Sequence, residues 1–204
     1  MTRDELTKNY WQYYLMLESK FSNTINYVEL CTSNFSTISN EYALLLQGIG
    51  AELDHFFKAY CGFNATDRKN ISDYSVFVLK DFPSIITQSV KVIGSDVELI
   101  PFHGWNVLQA AQSLAWWQAF DNIKHNRLGS FSDANQENVL NMLAALYLLE
   151  MKQFGKVAKI VNGKFAEPDN PDIKSMLFML PDWEFKFIKL NPWIVVEGDS
   201  LVIQ

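Results

Sequence analysis

Apolar side chains recur at steps of three and four residues through most of this chain, and that period is the strongest constraint on its fold. Leu6, Tyr10, Tyr14, Leu17, Phe21, Ile25 and Val28 trace one stripe of a long helix. Leu46, Gly50, Leu53, Phe57 and Tyr60 trace a second, and Val139, Leu143, Leu146 and Met151 a later one. Segments that bury one stripe each must pack against one another, so the expected fold is mainly α. An antiparallel bundle of about four or five helices with small β-hairpin appendages is predicted.

Local punctuation places the helix ends. Thr2 and Glu5 have capping-box spacing and open the first helix, which is expected to bend near Ser22 and Asn23. Ser39 is the N-cap expected for a helix over 41–61, and Gly62 its stop. Gly48 and Gly50 inside that helix each cost about 1 kcal/mol against Ala; close approach of another helix is the explanation expected for both. A shorter helix is predicted over 72–82, ending before Pro83. A helical period returns over 105–127, through Leu108, Gln112, Ala115, Ala119 and Ile123. Asp133 and Gln136 have the spacing to cap the last helix, which should run to about Val161.

The β signals are short. Val90-Lys91-Val92 and Val97-Glu98-Leu99 alternate around Gly94-Ser95-Asp96, a small hairpin. Beyond a polar run over 162–174, strands are expected over 176–180, over 184–188, and over 193–204 around a Gly198-Asp199 turn. Residues 1–161 therefore read as a helical bundle with a hairpin insertion near 90–100. Residues 162–204 read as a β appendage packed on the same domain.

The formal net charge of −6 gives no general attraction for polyanions, so DNA and anionic membrane are not expected partners. A local basic patch can still hold one phosphate. No apolar run reaches membrane-spanning length. The polar start Met1-Thr2-Arg3-Asp4-Glu5 lacks the apolar run of a signal peptide, so a cytoplasmic protein is expected. Cys31 and Cys61, on apolar stretches that read as helices, then read as free thiols. On the same reasoning the sequons at Asn34, Asn64 and Asn70 are coincidental. No phosphate loop, dinucleotide-binding glycine turn, nucleophile elbow or Cys/His zinc spacing occurs, so no cofactor and no metal are expected.

One segment concentrates chemistry: Trp116-Trp117-Gln118-Ala119-Phe120-Asp121-Asn122-Ile123-Lys124-His125-Asn126-Arg127. Trp117, Asp121 and His125 are spaced by four and stack on one helical face. An aspartate one turn before a histidine can accept its N–H and hold the imidazolium form. Lys124 and Arg127 add positive charge, so a phosphate and an acid/base group would lie side by side. The bland alternative is a capped helix end, because cations offset the dipole there in any protein. A second motif, Glu52-Leu53-Asp54-His55, is half of a carboxylate-bridged di-metal signature, but no second Glu-x-x-His exists. Glu52 and His55 are expected beside the 116–127 helix or facing solvent. His103 reads as a loop or cap residue. In each of Tyr13-Tyr14 and Trp116-Trp117, one ring falls on the core stripe and its partner on either a larger core or a dimer surface.

The 116–127 segment resembles the signature region of HEPN-type helical bundles, in which a helix carries an Arg, a polar residue and then a His near its end. The run Glu52 to Ala59 resembles an early helix of the same superfamily. The likeness covers residues 1–160 in pattern and these two stretches in motif. Asp121 matches the polar position and His125 the histidine. The family Arg would fall at Gln118, Ala119 or Phe120, and none is Arg. The resemblance implies a homodimer with RNA as the candidate partner. In active members it implies metal-independent RNA cleavage of a defence or toxin type. The residues that would carry it here are His125, Asp121, Asn122, Lys124 and Arg127, with Arg127 or Lys124 standing in for the missing Arg. A member without that Arg is expected to be a non-catalytic dimeric interaction module, with the His125 ribonuclease as the alternative.

Overall fold

The computed structural model describes the backbone of residues 1–161, 164–167, 169–181, 194–197 and 200–203, and side chains over 1–159 and 169–181. The chain is mainly α, a helical bundle carrying small antiparallel β elements. Its helices are α1 (Arg3–Leu6), α2 (Gln12–Thr24), α3 (Asn40–Cys61), α4 (Ile71–Asp81), α5 (Ala115–Asn126) and α6 (Gln136–Val157).

Helix α6 forms the centre. Its side chains from Val139 to Met151 are buried on almost every face, as expected for a helix packed against α1, α2, α3 and α5 at once. Helix α3 lies beside it and also contacts α2, α4 and α5. The caps follow the sequence. Thr2 and Glu5 close a reciprocal capping box, the Ser39 hydroxyl accepts the Tyr42 amide, and Gly62 ends α3 in the left-handed region at φ 75°.

Helices α1 and α2 are joined by a π turn over Thr7–Trp11. The extra residue in that turn sets two consecutive rings inward, so Tyr10 and Trp11 are both buried. Trp11 stacks on Tyr14 and donates its indole N–H to the Ile173 carbonyl at 2.7 Å. The helix stops at Thr24, where a bend was expected, and Ile25 and Val28 are only half-buried.

Other differences have local causes. The helical period over 105–114 does not become a helix. The Asn106 side chain accepts the Gln109 amide, Leu108 is 95% exposed, and Trp105, Ala110 and Leu114 enter the core instead. The cap of α6 is Asn135, whose side chain accepts the Asn138 amide; Asp133 sits in the preceding turn. Helix α6 ends at Val157, and the β-branched Ile160 and Val161 belong to a strand.

The strands are β1 (Val90–Val92), β2 (Glu98–Leu99), β3 (Lys159–Val161), β4 (Lys164–Glu167), β5 (Phe178–Met179), β6 (Ile194–Glu197) and β7 (Ser200–Ile203). The expected β1–β2 hairpin is present, and β5 adds to the other side of β1 with Lys91 opposite Met179 and Val92 opposite Phe178. Strand β3, in the end of what read as the last helix, pairs antiparallel with β4, in what read as a polar run, and β6 pairs antiparallel with β7. The strand expected over 184–188 and the turn at 198–199 lie outside the described residues.

Contacts over 169–178 tie the chain back to the first helices. Arg3 pairs with Asp172 at 3.0 Å. The buried Glu18 carboxylate accepts the Tyr14 and Ser175 hydroxyls and the Met176 amide. Ser175 Oγ in turn accepts the Phe178 amide at 2.8 Å, which holds the start of β5.

Both cysteines are unbridged. Cys61 closes α3, whereas Cys31 precedes a short turn rather than lying on a helix. No helix among the described residues is long and apolar enough to cross a membrane.

Candidate functional site

Helix α5 sets the geometry of the 116–127 motif. Trp116, Trp117, Ala119, Phe120 and Ile123 form its buried face, so both tryptophans are core residues. Trp116 donates its indole N–H to the Pro101 carbonyl, and Trp117 packs edge-on against Phe57 of α3. Phe120 lies over Gly50 of α3. A Cβ on Gly50 would come within 2.6 Å of Phe120 Cγ, so the glycine is there to admit the ring. At Gly48 a Cβ would meet Leu17 at an ordinary 3.5 Å, and no close approach explains that glycine.

The polar members of the motif are exposed, with Lys124 on the Phe120 side of the helix. His125 Nε2 lies 3.4 Å from Asp121 Oδ1, and both side chains are well exposed. Asn122 donates to Asp133 at 2.8 Å, fastening α5 to the turn before α6. Lys124 reaches back over the Phe120 ring at 5.5 Å. Arg127 is the C-cap residue and is exposed, and the next residue, Leu128, is 90% exposed. The structure therefore brings Asp121 and His125 together. It directs Asn122 and Lys124 to other partners and leaves Arg127 at the rim.

Beside this exposed face is an open cleft of about 440 Å³, lined by Asn70 and Ser72 at the start of α4 and by Gln112, Gln118, Asp121 and Asn122, with Trp117 as its apolar wall. Most of its polar groups are already engaged. Asn70 caps α4, and Gln118 donates to the Gln112 carbonyl at 2.7 Å.

Of the positions where the resembling family carries Arg, Gln118 is exposed, whereas Ala119 and Phe120 are buried. The buried pair holds α5 on α3 and cannot present a cation to a phosphate.

Glu52 does not join the α5 site. It is buried among Tyr10 of the π turn and Glu150 of α6, and burial lifts its carboxyl to about 7. His55 is exposed, its ring 5.3 Å from that of Tyr10. Glu150 has no exposure at all, and burial, with Glu52 nearby, pushes its carboxyl well above the usual range. Sequence reasoning passed over Glu150 and Glu18. The available signal was an acid inside an apolar run, Leu148-Leu149-Glu150-Met151, with Leu146, Tyr147 and Phe154 one turn away on its own face. His103 is an exposed turn residue, as expected.

A second surface cluster lies where α4 ends against α6. Asp81 accepts from the Tyr60 hydroxyl and Lys156 at 2.6 Å each, which holds its carboxyl below the usual range. Comparison with family models, with curated proteins and with solved structures gives no match for this chain.

Proposed function

We propose that this chain is a HEPN-like helical protein that acts as a dimeric interaction module and does not cleave RNA. The observation that carries this reading is Phe120, which fills the space over Gly50 at one of the three positions, with Gln118 and Ala119, where the resemblance places the phosphate-binding Arg of a cleaving member. Arg supplies a rigid bidentate fork to phosphate that neither an exposed amide nor a buried ring can replace. The rim of α5 suits recognition: Lys124 and Arg127 are exposed together with the apolar side chain of Leu128. Arg is enriched at contact surfaces relative to the rest of a protein surface.

One observation favours a second reading. The Asp121–His125 pair stands at the edge of a polar cleft with a tryptophan wall. That is a workable place for a metal-independent ribonuclease in which His125 moves the proton and Arg127 or Lys124 meets the phosphate.

The test incubates a mixed single-stranded RNA with the protein in EDTA, beside the His125→Ala variant, and measures mass in solution by light scattering. A dimer with no cleavage is expected. Cleavage by the wild type that is lost in His125→Ala would replace the module by the ribonuclease. A monomer at micromolar concentration would remove the dimer from the proposal.

A further inference from the structure

The interior holds a second place where chemistry is concentrated, independent of the α5 end. Glu150 is wholly buried on α6, and neither of its carboxyl oxygens has a hydrogen-bond partner. Across the α3–α6 interface Glu52 is 8% exposed, and its Oε1 is also unpartnered. Gln153 follows Glu150 by one turn on α6, is 6% exposed, and leaves its Oε1 without a partner. Each of these atoms is an acceptor, and an ionised carboxylate has no proton of its own to share. Buried acceptors without donors are destabilising by about 1–3 kcal/mol each. Two carboxyls and an amide oxygen on facing helices must either keep protons or hold a cation in their place.

The surroundings support a ligand. The π turn over Thr7–Trp11 brings Tyr10 beside both glutamates, and such turns recur at functional sites. Nitrogen ligands are not part of the set, since His55 is exposed and turned onto the Tyr10 ring. No group of three or more His, Cys, Asp or Glu suited to a metal occurs among the described residues. The donor set is two carboxylates and an amide oxygen. All-oxygen donors select hard cations, and two carboxylates balance the charge of a divalent ion.

We propose that Glu52, Glu150 and the carbonyl oxygen of Gln153 form a binding site for a hard divalent cation of the Mg²⁺, Mn²⁺ or Ca²⁺ class between α3 and α6. The ion replaces the protons that the two carboxyls otherwise keep, so it competes with acid and binds more tightly as pH rises. Its role is to lock α3 on α6, and it takes no part in the exposed Asp121–His125 pair.

The test uses the whole chain, stripped with EDTA and dialysed to about pH 8, where metal competes best with protons. Mn²⁺ binding is followed by electron paramagnetic resonance. Thermal unfolding is measured with Mn²⁺, Mg²⁺ and Ca²⁺ separately at millimolar concentration. Saturable binding of one ion and a Tm rise of roughly 5–10 °C at a hundredfold excess over Kd are expected. Glu150→Gln and, as a less buried second variant, Glu52→Gln should each weaken binding at least about tenfold. Glu41→Gln, which removes an exposed acid from the first turn of α3, should leave binding unchanged. Absence of saturable binding by the wild type would mean that protons alone occupy the pair. Binding that survives in both glutamine variants would place the ion elsewhere. Either result overturns the proposal.

Discussion

Replacing Gly50 with Ala puts one methyl group at the closest approach of two helices. On an exposed helix the change would stabilise the protein by about 1 kcal/mol, because Ala loses less conformational freedom than Gly. Here the new Cβ lies 2.6 Å from Phe120 Cγ, about 1 Å inside ordinary carbon contact. The ring has little room to retreat, being 7% exposed, edge-on to Trp117 and covered by Lys124. Relief requires α5 to move off α3, and overpacking of this kind typically costs about 1–3 kcal/mol. The net expectation is a loss of about 0–2 kcal/mol, with the overlap visible as coupling between the two sites. Urea unfolding of Gly50→Ala, Phe120→Leu and the double variant measures this coupling. The double variant should be more stable than the sum of the two single effects by at least about 1 kcal/mol. A Gly50→Ala protein stabilised by the full helix propensity, with additive effects, would refute the reasoning. It would also remove the packing account of why a buried ring occupies this position.

Two further outcomes are expected. In EDTA, the Glu52 carboxyl titrates near 7 when folded against 4.5 ordinarily, so the folded state holds a proton that the unfolded chain has lost between those values. Stability from this group is full below about pH 4.5, falls as pH rises through the window, and is flat above 7; the fall is about 3 kcal/mol before, and about 2 after, allowance for the solvent that reaches Glu52. Glu52→Gln should flatten that fall in pH-dependent urea unfolding, and an unchanged slope would contradict the burial argument. Ser175→Ala removes a hydroxyl from the buried Glu18 carboxylate and frees the Phe178 amide. A loss of about 1–3 kcal/mol and faster amide exchange over 176–180 should follow; unchanged exchange would mean that β5 is held by its pairing with β1 alone.

Features decided within one or two turns of chain were legible without coordinates. Ser39, Gly62 and the Thr2–Glu5 box act through their own neighbours, so the helix ends they mark are where the residues imply. The core stripes of α3 and α6 were legible for the same reason, since a period of three or four needs no partner to be recognised. The segment over 105–114 shows the limit. Its period suits a helix, but Trp105 and Leu114 gain more by entering the core from an irregular path that leaves Leu108 in solvent.

The candidate sites divide in the same way. The Asp121–His125 pair is a product of helical spacing alone, and the sequence determined it. What stands behind that pair is tertiary. Phe120 is core because Gly50, seventy residues earlier in the chain, yields the space. Glu52 faces Glu150 and not α5 because α3 packs on several neighbours at once, and no local rule says which neighbour receives which side chain. Spacing determines which residues share a face, whereas the packing of distant segments decides what each face meets.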